Sequence, residues 1–172
     1  ESCKGAEYAI KDIQTKPAKK SPAAPFTTST LQQEASRKMS YSVTRTMSVA
    51  QKLYEAGHIT YMRTDSVNLS NEAVNAAEAE IKSSYGNEYA QRRTYNSKSK
   101  GAQEAHEAIR PTDMSVFTAG ADSAAKRLYE LIHKRTLATQ MADAILEKTT
   151  ATLSADGVEH PFVAQGHRKS VE

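Results

Sequence analysis

A tyrosine and an arginine two residues apart, Tyr61 and Arg63, offer the most informative chemistry in the sequence. In an extended segment they would point to the same face, because side chains alternate along a strand. A phenol is a poor nucleophile near neutral pH, since its unperturbed pKa is about 10. A guanidinium beside it would stabilise the phenolate and bind a phosphate by two parallel hydrogen bonds, so the pair could attack a phosphodiester. The same pattern is typical of an ordinary half-buried strand with a solvated edge charge.

A histidine and a second arginine, His106 and Arg110, stand four residues apart in the stretch QEAHEAIRPTD. A helical turn would place them on one face. There a titratable donor and a fixed cation would suit a phosphate, and the histidine would bind it more strongly when protonated. A lone histidine is also often structural, so the spacing leaves both roles open.

Four amphipathic helices are predicted between residues 26 and 145, from apolar residues at spacings of three and four. The expected caps or starts are, in chain order, Ser29 or Thr30 (with Gln32 or Gln33 completing a capping box), Thr44, Ser70, and Asp122 or Ser123. In the second helix we predict that Met47, Ala50, Leu53 and Tyr54 face the core and that Gly57 follows the helix end.

The two ends of the chain predict strands. Glu7–Lys16 alternates imperfectly, and Lys16–Pro25 is predicted to be an extended cationic linker, since its prolines exclude a helix. Thr149–Ser154 and Pro161–Gln165 flank a hairpin signal at Ala155–Gly157. We predict that this hairpin joins the first strand in a small antiparallel sheet, which gives a mainly α, α+β fold.

Three stretches resemble the bacterial DNA topoisomerase I family of type IA topoisomerases: SPAAPFTTSTLQQEAS from Ser21, ITYMRTDS from Ile59, and QEAHEAIRPTD, which ends at Asp113. They occur in the family's order. The resemblance implies that Tyr61 attacks a single-stranded DNA phosphodiester and becomes linked to the 5′ phosphate. It also implies that Arg63 binds the scissile phosphate.

The same resemblance identifies further site residues. It assigns DNA contacts to His106, Arg110, Thr28 and Ser29. We expect four more residues to support the reacting pair: Gln51 and Glu55 on the helix that lies beside the active site in this family, and Thr60 and Asp65, which flank the pair. Asp65 could pair with Arg63 or accept from loop N–H groups, or it could only form a local turn. The implied partner is single-stranded and negatively supercoiled DNA, relaxed without ATP.

The resemblance also implies a domain arrangement, a mainly helical, winged-helix-like catalytic-tyrosine domain hanging from a β-rich arch. Residues 1–25 and 146–172 would then belong to the arch, and residues 26–145 would form the helical domain. In this family an acidic TOPRIM domain carries Mg²⁺, and the sequence shows no matching carboxylate cluster. We expect Mg²⁺ to bind outside this chain and no metal within it. We interpret the 172 residues, which open on Glu1 rather than Met, as a fragment that cannot cleave DNA alone.

Composition agrees with a polyanionic partner. The net charge is +3, and bases outnumber acids strongly between Lys11 and Lys52. Cys3 is the only cysteine, which excludes an internal disulfide and fits a reducing bacterial cytoplasm, where we expect the protein to associate with the nucleoid. No apolar run approaches the ~20 residues that span a bilayer.

Three other functions fit parts of the sequence. A non-catalytic winged-helix nucleic-acid-binding module could use Tyr61 as a stacking platform. A tyrosine recombinase also uses Arg, His and Tyr on phosphate, but its tyrosine lies near the end of its catalytic domain, whereas Tyr61 precedes His106 and Arg110. A purely structural domain would leave the basic linker and the three matched stretches unexplained.

Overall fold

The computed structural model describes residues 5–95 and 106–169, and the chain forms two compact units. One unit combines both ends of the chain, Glu1–Ser21 with Asp143–Glu172, and the other is Pro22–Ala142. The described strands lie in the first unit and the described α-helices in the second. The prediction of an α+β fold is therefore confirmed.

The first unit contains a three-stranded antiparallel sheet in the order β1-β2-β3. The strands are β1 (Tyr8–Lys20), β2 (Ala144–Ala155) and β3 (Phe162–Lys169). β1 pairs along its length with β2, with an irregularity between Ile10 and Asp12. The turn after β2 contains Gly157 at φ +76°, a conformation that glycine adopts without steric cost. The predicted pairing of the chain ends is confirmed.

The observed strands β1 and β2 are longer than predicted. β1 continues through Lys16–Lys20, which we expected to be linker, and β2 begins at Ala144 rather than Thr149. Pro17 is tolerated because β1 is an edge strand, where a missing N–H need not cost a ladder bond. Nearly every side chain of β1 is exposed. The sequence therefore lacked the apolar alternation from which strand ends are read.

The second unit contains four α-helices in its described residues: α1 (Thr28–Met39), α2 (Val43–Glu55), α3 (Asn71–Ser84) and α4 (Ser123–Thr139). Each is capped by an oxygen that accepts from the N–H of the third following residue; the caps are Thr27, Ser42, Ser70 and Asp122. The caps of α3 and α4 match the prediction. α1 differs, because its capping box is formed by Thr27 with Thr30 and not by either predicted pair.

The core of this unit packs α1, α2 and α4 around Phe26, which is fully buried. The guanidinium of Arg135 lies 4.1 Å from the centre of the Phe26 ring and donates to the Ala24 carbonyl at 3.1 Å. The chain entering α1 is therefore tied to α4. Because α1 and the Tyr61 segment are hydrogen-bonded to each other, this core positions the candidate site.

Candidate active site

The segment that carries Tyr61 is extended, as predicted, but it does not form a regular strand. Among the described residues, its one backbone bridge joins Ile59 to Pro111. The alternation of side chains nevertheless holds: Tyr61 and Arg63 are exposed, and Met62 between them is buried. The two residues therefore share an outward face.

One side of this segment is held by Thr60. Its hydroxyl donates to the Ala108 carbonyl at 2.7 Å and accepts from the Arg110 N–H at 2.9 Å. Its own N–H donates to the Arg110 carbonyl at 2.9 Å. Thr60 thus supports the reacting pair through the backbone of the downstream motif.

The other side is held by Thr28, at the start of α1. Its hydroxyl donates to the Met62 carbonyl at 2.8 Å and accepts from the Thr64 N–H at 2.9 Å. Its N–H donates to the Thr64 carbonyl at 2.9 Å. The hydroxyl and the N–H of Thr28 therefore both bind the backbone of the Tyr61 segment. Ser29, the next residue, has an exposed side chain whose hydroxyl lies 3.2 Å from that of Thr27.

Tyr61 makes an aromatic contact that the sequence did not reveal. Its ring meets the ring of Tyr54 edge to face, with centroids 5.2 Å apart and an interplanar angle of 65°. The two side chains are 44% and 42% exposed. The predicted core position of Tyr54 is therefore wrong. The buried stripe of α2 is Thr46, Val49, Ala50 and Leu53. A helical stripe that starts at Thr46 instead of Met47 places Tyr54 at its edge.

The other predicted supporting residues are exposed. Gln51 donates to Glu55 at 2.8 Å across one turn of α2, the helix that also presents Tyr54. Asp65 lies on the outward side of the extended segment. Within the described part of the chain, no hydrogen bond or ion pair joins it to Arg63.

Arg110 lies inward, and its donors are engaged. Its side chain is only 14% exposed and pairs with Glu107, Nη2 to Oε2 at 2.8 Å. Nε donates to Glu107 Oε1 at 3.3 Å and Nη1 to the Pro111 carbonyl at 2.9 Å. The backbone N–H of Ser70, the cap of α3, also donates to Glu107 Oε1 at 2.7 Å. Glu107 therefore ties this motif to the start of α3.

The environment of Glu107 favours its charged form. Burial raises the pKa of this carboxyl, but hydrogen bonds from Arg110 and Ser70 outweigh that effect and hold the pKa below its ordinary value. The carboxylate and the guanidinium neutralise each other within the protein.

His106 is exposed and lies at the edge of the described residues, since the first part of its motif, residues 103–105, falls outside them. Residues 106–110 are not helical. The prediction that one helical turn places His106 and Arg110 on a common face is therefore wrong. Pro111 accounts for this, because the residue before a proline is disfavoured in helical conformation.

The loop after this motif is fixed by α4. Tyr129 donates its phenol hydrogen to the Val116 carbonyl at 2.7 Å, and His133 Nε2 donates to the Met114 carbonyl at 2.8 Å. Burial, with the nearby charge of Asp113, raises the pKa of Tyr129 to about 12. Tyr129 is thus a structural phenol, in contrast to the exposed Tyr61.

The described residues provide no group of three His, Cys, Asp or Glu side chains that could hold a metal ion. They also contain no helix long and apolar enough to cross a membrane. The arrangement that remains is an exposed phenol and an exposed guanidinium on one face of a segment hydrogen-bonded on both sides. Such a pair can bind a phosphate and deliver a nucleophile to it.

Comparison with known proteins identifies close relatives. The DNA topoisomerase family matches residues 1–171. DNA topoisomerase 1 of Synechocystis sp. is 51% identical over 169 residues, which cover 95% of this chain and 19% of that protein. DNA topoisomerase 1 of Streptomyces coelicolor is 50% identical over 167 residues, or 92% of this chain and 18% of that protein. The chain thus spans less than a fifth of the length of these relatives.

A solved structure agrees with this. Full-length topoisomerase I from Thermotoga maritima superposes with a TM-score of 0.76 and 37% identity, over 98% of this chain and 29% of that one. The similarity therefore extends over the sheet and the helices alike.

Proposed function

The chain belongs to the bacterial type IA DNA topoisomerase family, and from that membership we propose that Tyr61 attacks a phosphodiester of single-stranded DNA. The phenol oxygen bonds to the phosphorus, and the bond from phosphorus to the 3′ oxygen breaks. The 3′ oxygen leaves with a proton, and the phenol proton passes to solvent or a base. The product is a 5′-phosphotyrosyl link, which a reversal of the same step rejoins without ATP.

The observation that carries this proposal is the shared outward face of Tyr61 and Arg63. Arg63 binds the scissile phosphate and stabilises the charge that builds on it in the transition state. Its exposed guanidinium supports this role. Hydrogen bonds from Thr28 and Thr60 fix the backbone on either side of the pair, so little reorganisation is needed when DNA binds.

The predicted DNA contacts fall into two groups. His106 and Ser29 present exposed side chains, and we assign them to phosphates next to the scissile one. Arg110 and Thr28 have donors engaged inside the protein, and we assign them chiefly to the frame that carries the reacting pair. For Gln51, Glu55 and Asp65, whose side chains are exposed, we propose a supporting role around that pair.

The complete reaction needs more than these residues. We propose that helices α1–α4 form a winged-helix-like DNA-binding domain of a longer, nucleoid-associated enzyme that passes a second strand through the break and relaxes negative supercoils. Mg²⁺ would be held by an acidic TOPRIM domain of the same enzyme. The described carboxylates here do not fit a metal ion, so no step of this site is assigned to one.

A second candidate function is a non-catalytic single-strand-binding module. The exposed edge-to-face pair of Tyr54 and Tyr61 favours it, since aromatic rings offer a stacking surface to any unpaired base. This function requires the ring of Tyr61 but not its hydroxyl.

Plasmid relaxation distinguishes the two functions. We expect the full-length protein to relax negatively supercoiled DNA with Mg²⁺ and without ATP. The Tyr61→Phe variant should lose relaxation completely while binding a single-stranded oligonucleotide as well as wild type. If Tyr61→Phe still relaxed DNA, the proposed nucleophile would be wrong. Absence of relaxation by wild type, with tight oligonucleotide binding, would favour the binding module.

The 172-residue chain by itself should bind a single-stranded oligonucleotide but form no covalent adduct, with or without Mg²⁺. Denaturing electrophoresis of the chain with a labelled oligonucleotide tests this. A Mg²⁺-dependent adduct on the chain alone would show that it carries a complete site.

A further inference from the structure

The two shortest hydrogen bonds of the Thr28 hydroxyl bracket Arg63, and a longer contact of 3.2 Å reaches the Thr64 carbonyl. We propose that Thr28 is a positioning residue: it sets the backbone conformation of Arg63, and so the direction of its guanidinium relative to Tyr61. This inference rests on the proposed function, because it assumes that Arg63 acts on the scissile phosphate.

The two bonds reach the two peptide groups on either side of the Arg63 Cα. The Met62 carbonyl, which accepts from the Thr28 hydroxyl at 2.8 Å, belongs to the peptide before Arg63. The Thr64 N–H, which donates to the same hydroxyl at 2.9 Å, belongs to the peptide after it. Since a peptide group is planar, fixing both groups fixes the two backbone dihedrals of Arg63. One hydroxyl can do this because it both donates and accepts.

Thr28 is itself well anchored. It is the first residue of α1, directly after the N-cap Thr27 and within the capping box that Thr27 forms with Thr30. The next turns of the helix bury Leu31 and Ala35 completely in the core. The hydrogen bonds of Thr28 therefore connect Arg63 to the rigid part of the unit.

A direct phosphate contact by Thr28 is the competing role. A threonine hydroxyl has one hydrogen, and in Thr28 its acceptors are the Met62 carbonyl at 2.8 Å and, at 3.2 Å, the Thr64 carbonyl. The N–H of Thr28 is directed to the Thr64 carbonyl. Donating to a phosphate would require one of these bonds to break, and loss of the hydroxyl would then weaken DNA binding.

The test compares Thr28→Val, which keeps the shape but removes the hydroxyl, with Thr28→Ser, which keeps the hydroxyl. In the full-length protein, we expect Thr28→Val to lower the single-turnover cleavage rate by roughly 10- to 100-fold, as a small misplacement of a reacting group does. Thr28→Ser should restore most of the rate. The affinity for a single-stranded oligonucleotide and its salt dependence should match wild type in both variants.

Thr136→Val is a matched control. The Thr136 hydroxyl is buried and donates to the Ile132 carbonyl at 3.0 Å within α4. Its loss removes one hydroxyl–carbonyl bond from the same unit without touching the Tyr61 segment. We expect Thr136→Val to cleave at the wild-type rate, although its melting temperature should fall.

Coupling to Arg63 is tested by a double-mutant cycle. If Thr28 acts through Arg63, Thr28→Val should cause no further loss of cleavage in an Arg63→Ala background. Amide hydrogen exchange on the 172-residue chain gives a readout that needs no catalysis. The Thr64 amide should exchange faster in Thr28→Val than in wild type. The Ser40 amide, which donates to the Ser36 carbonyl at the end of α1, should remain protected in a variant that stays folded.

The inference would be overturned by wild-type cleavage in Thr28→Val or by equal losses in Thr28→Val and Thr28→Ser. Weaker DNA binding by Thr28→Val would also overturn it, since that would indicate a direct phosphate contact. Additive losses in the double variant would also contradict it. If Thr28→Val does not fold, the Thr64 amide is measured in the wild-type chain. Exchange of that amide as fast as in an unfolded chain would overturn the inference. A wild-type protein that forms no adduct would instead overturn the proposed function.

Discussion

Arg63 and Arg110 lie on two segments that are hydrogen-bonded to each other, and both segments are predicted to bind phosphate. The two side chains nevertheless have different environments. Arg63 is exposed on the same face as Tyr61. Arg110 is 14% exposed and paired with Glu107 at 2.8 Å. The two charges therefore have different uses: one is directed to solvent, and the other is neutralised inside the protein.

This difference separates the frame of the site, which includes Thr28, Glu107 and Arg110, from its reactive surface, the exposed side chains of Tyr54, Tyr61 and Arg63. A guanidinium already bound to a carboxylate and a carbonyl gains little by approaching a phosphate. An exposed guanidinium that keeps its donors for a ligand can contribute most in the transition state. Substitutions on the two segments should consequently affect different measurements.

Among the substitutions that test this difference between the two arginines, Arg63→Ala should give the largest effect. We expect the rate of DNA cleavage by the full-length protein to fall roughly 10²–10³-fold, since one charge-stabilising donor is lost from the transition state. The melting temperature should be unchanged, because the Arg63 side chain is exposed. Single-turnover kinetics and calorimetry measure the two quantities. A large fall in melting temperature would show that Arg63 belongs to the frame after all.

Arg110→Ala should affect stability first. Loss of its charged hydrogen bonds should lower the free energy of unfolding by about 2 kcal/mol, because Glu107 loses its partner. Denaturant titration of the 172-residue chain measures this. The control is Lys82→Ala, which removes the exposed ion pair with Glu78 at 2.6 Å and should change stability far less. Equal effects of the two substitutions would mean that Arg110 is no more structural than a surface lysine.

Glu107→Gln should remove part of the pH dependence of stability. The pKa of Glu107 in the folded chain lies below its ordinary value of 4.5, so the unfolded chain takes up the proton first as the pH falls. The stabilisation is therefore present above pH 4.5 and is lost as the pH drops below it. We expect Glu107→Gln to be less stable than wild type at pH 7, with the difference shrinking in acid. A constant difference from pH 7 to pH 3 would contradict the assignment.

Tyr54→Ala should have the smallest effect, and on the reactive surface only. Removing the ring that contacts Tyr61 should lower the cleavage rate about 2- to 10-fold, the range of an aromatic pair. Tyr54→Phe keeps the ring and should cleave like wild type. If Tyr54→Phe lost as much as Tyr54→Ala, the Tyr54 hydroxyl rather than the ring contact would be responsible.

The sequence predicted the parts of the site that depend on local backbone rules. Alternation along an extended chain placed Tyr61 and Arg63 on one face, even though no strand forms. Ser70 and Asp122 were recognisable as helix caps, since a short polar side chain before an apolar periodic stretch has a local role.

The remaining features depend on contacts between distant residues. Glu107 holds Arg110 inward because it also accepts from the backbone N–H of Ser70. Ser70 is distant in sequence, so this contact could not be predicted from the residues around Arg110. The hydrogen bonds of Thr28 span more than thirty residues to the Tyr61 segment, and the contact of Tyr54 depends on how α2 is rotated. The ends of β1 were missed because its side chains are exposed and carry no apolar pattern.

The most direct test of Tyr61 as the nucleophile is to map the covalent adduct. The full-length protein would be incubated with Mg²⁺ and single-stranded oligonucleotides labelled at either the 5′ or the 3′ end, stopped with denaturant, digested and analysed by mass spectrometry. We expect the 3′-labelled half to remain on the peptide that contains Tyr61 and no adduct in Tyr61→Phe. An adduct that carries the 5′-labelled half, or that maps to another residue, would contradict the proposed function.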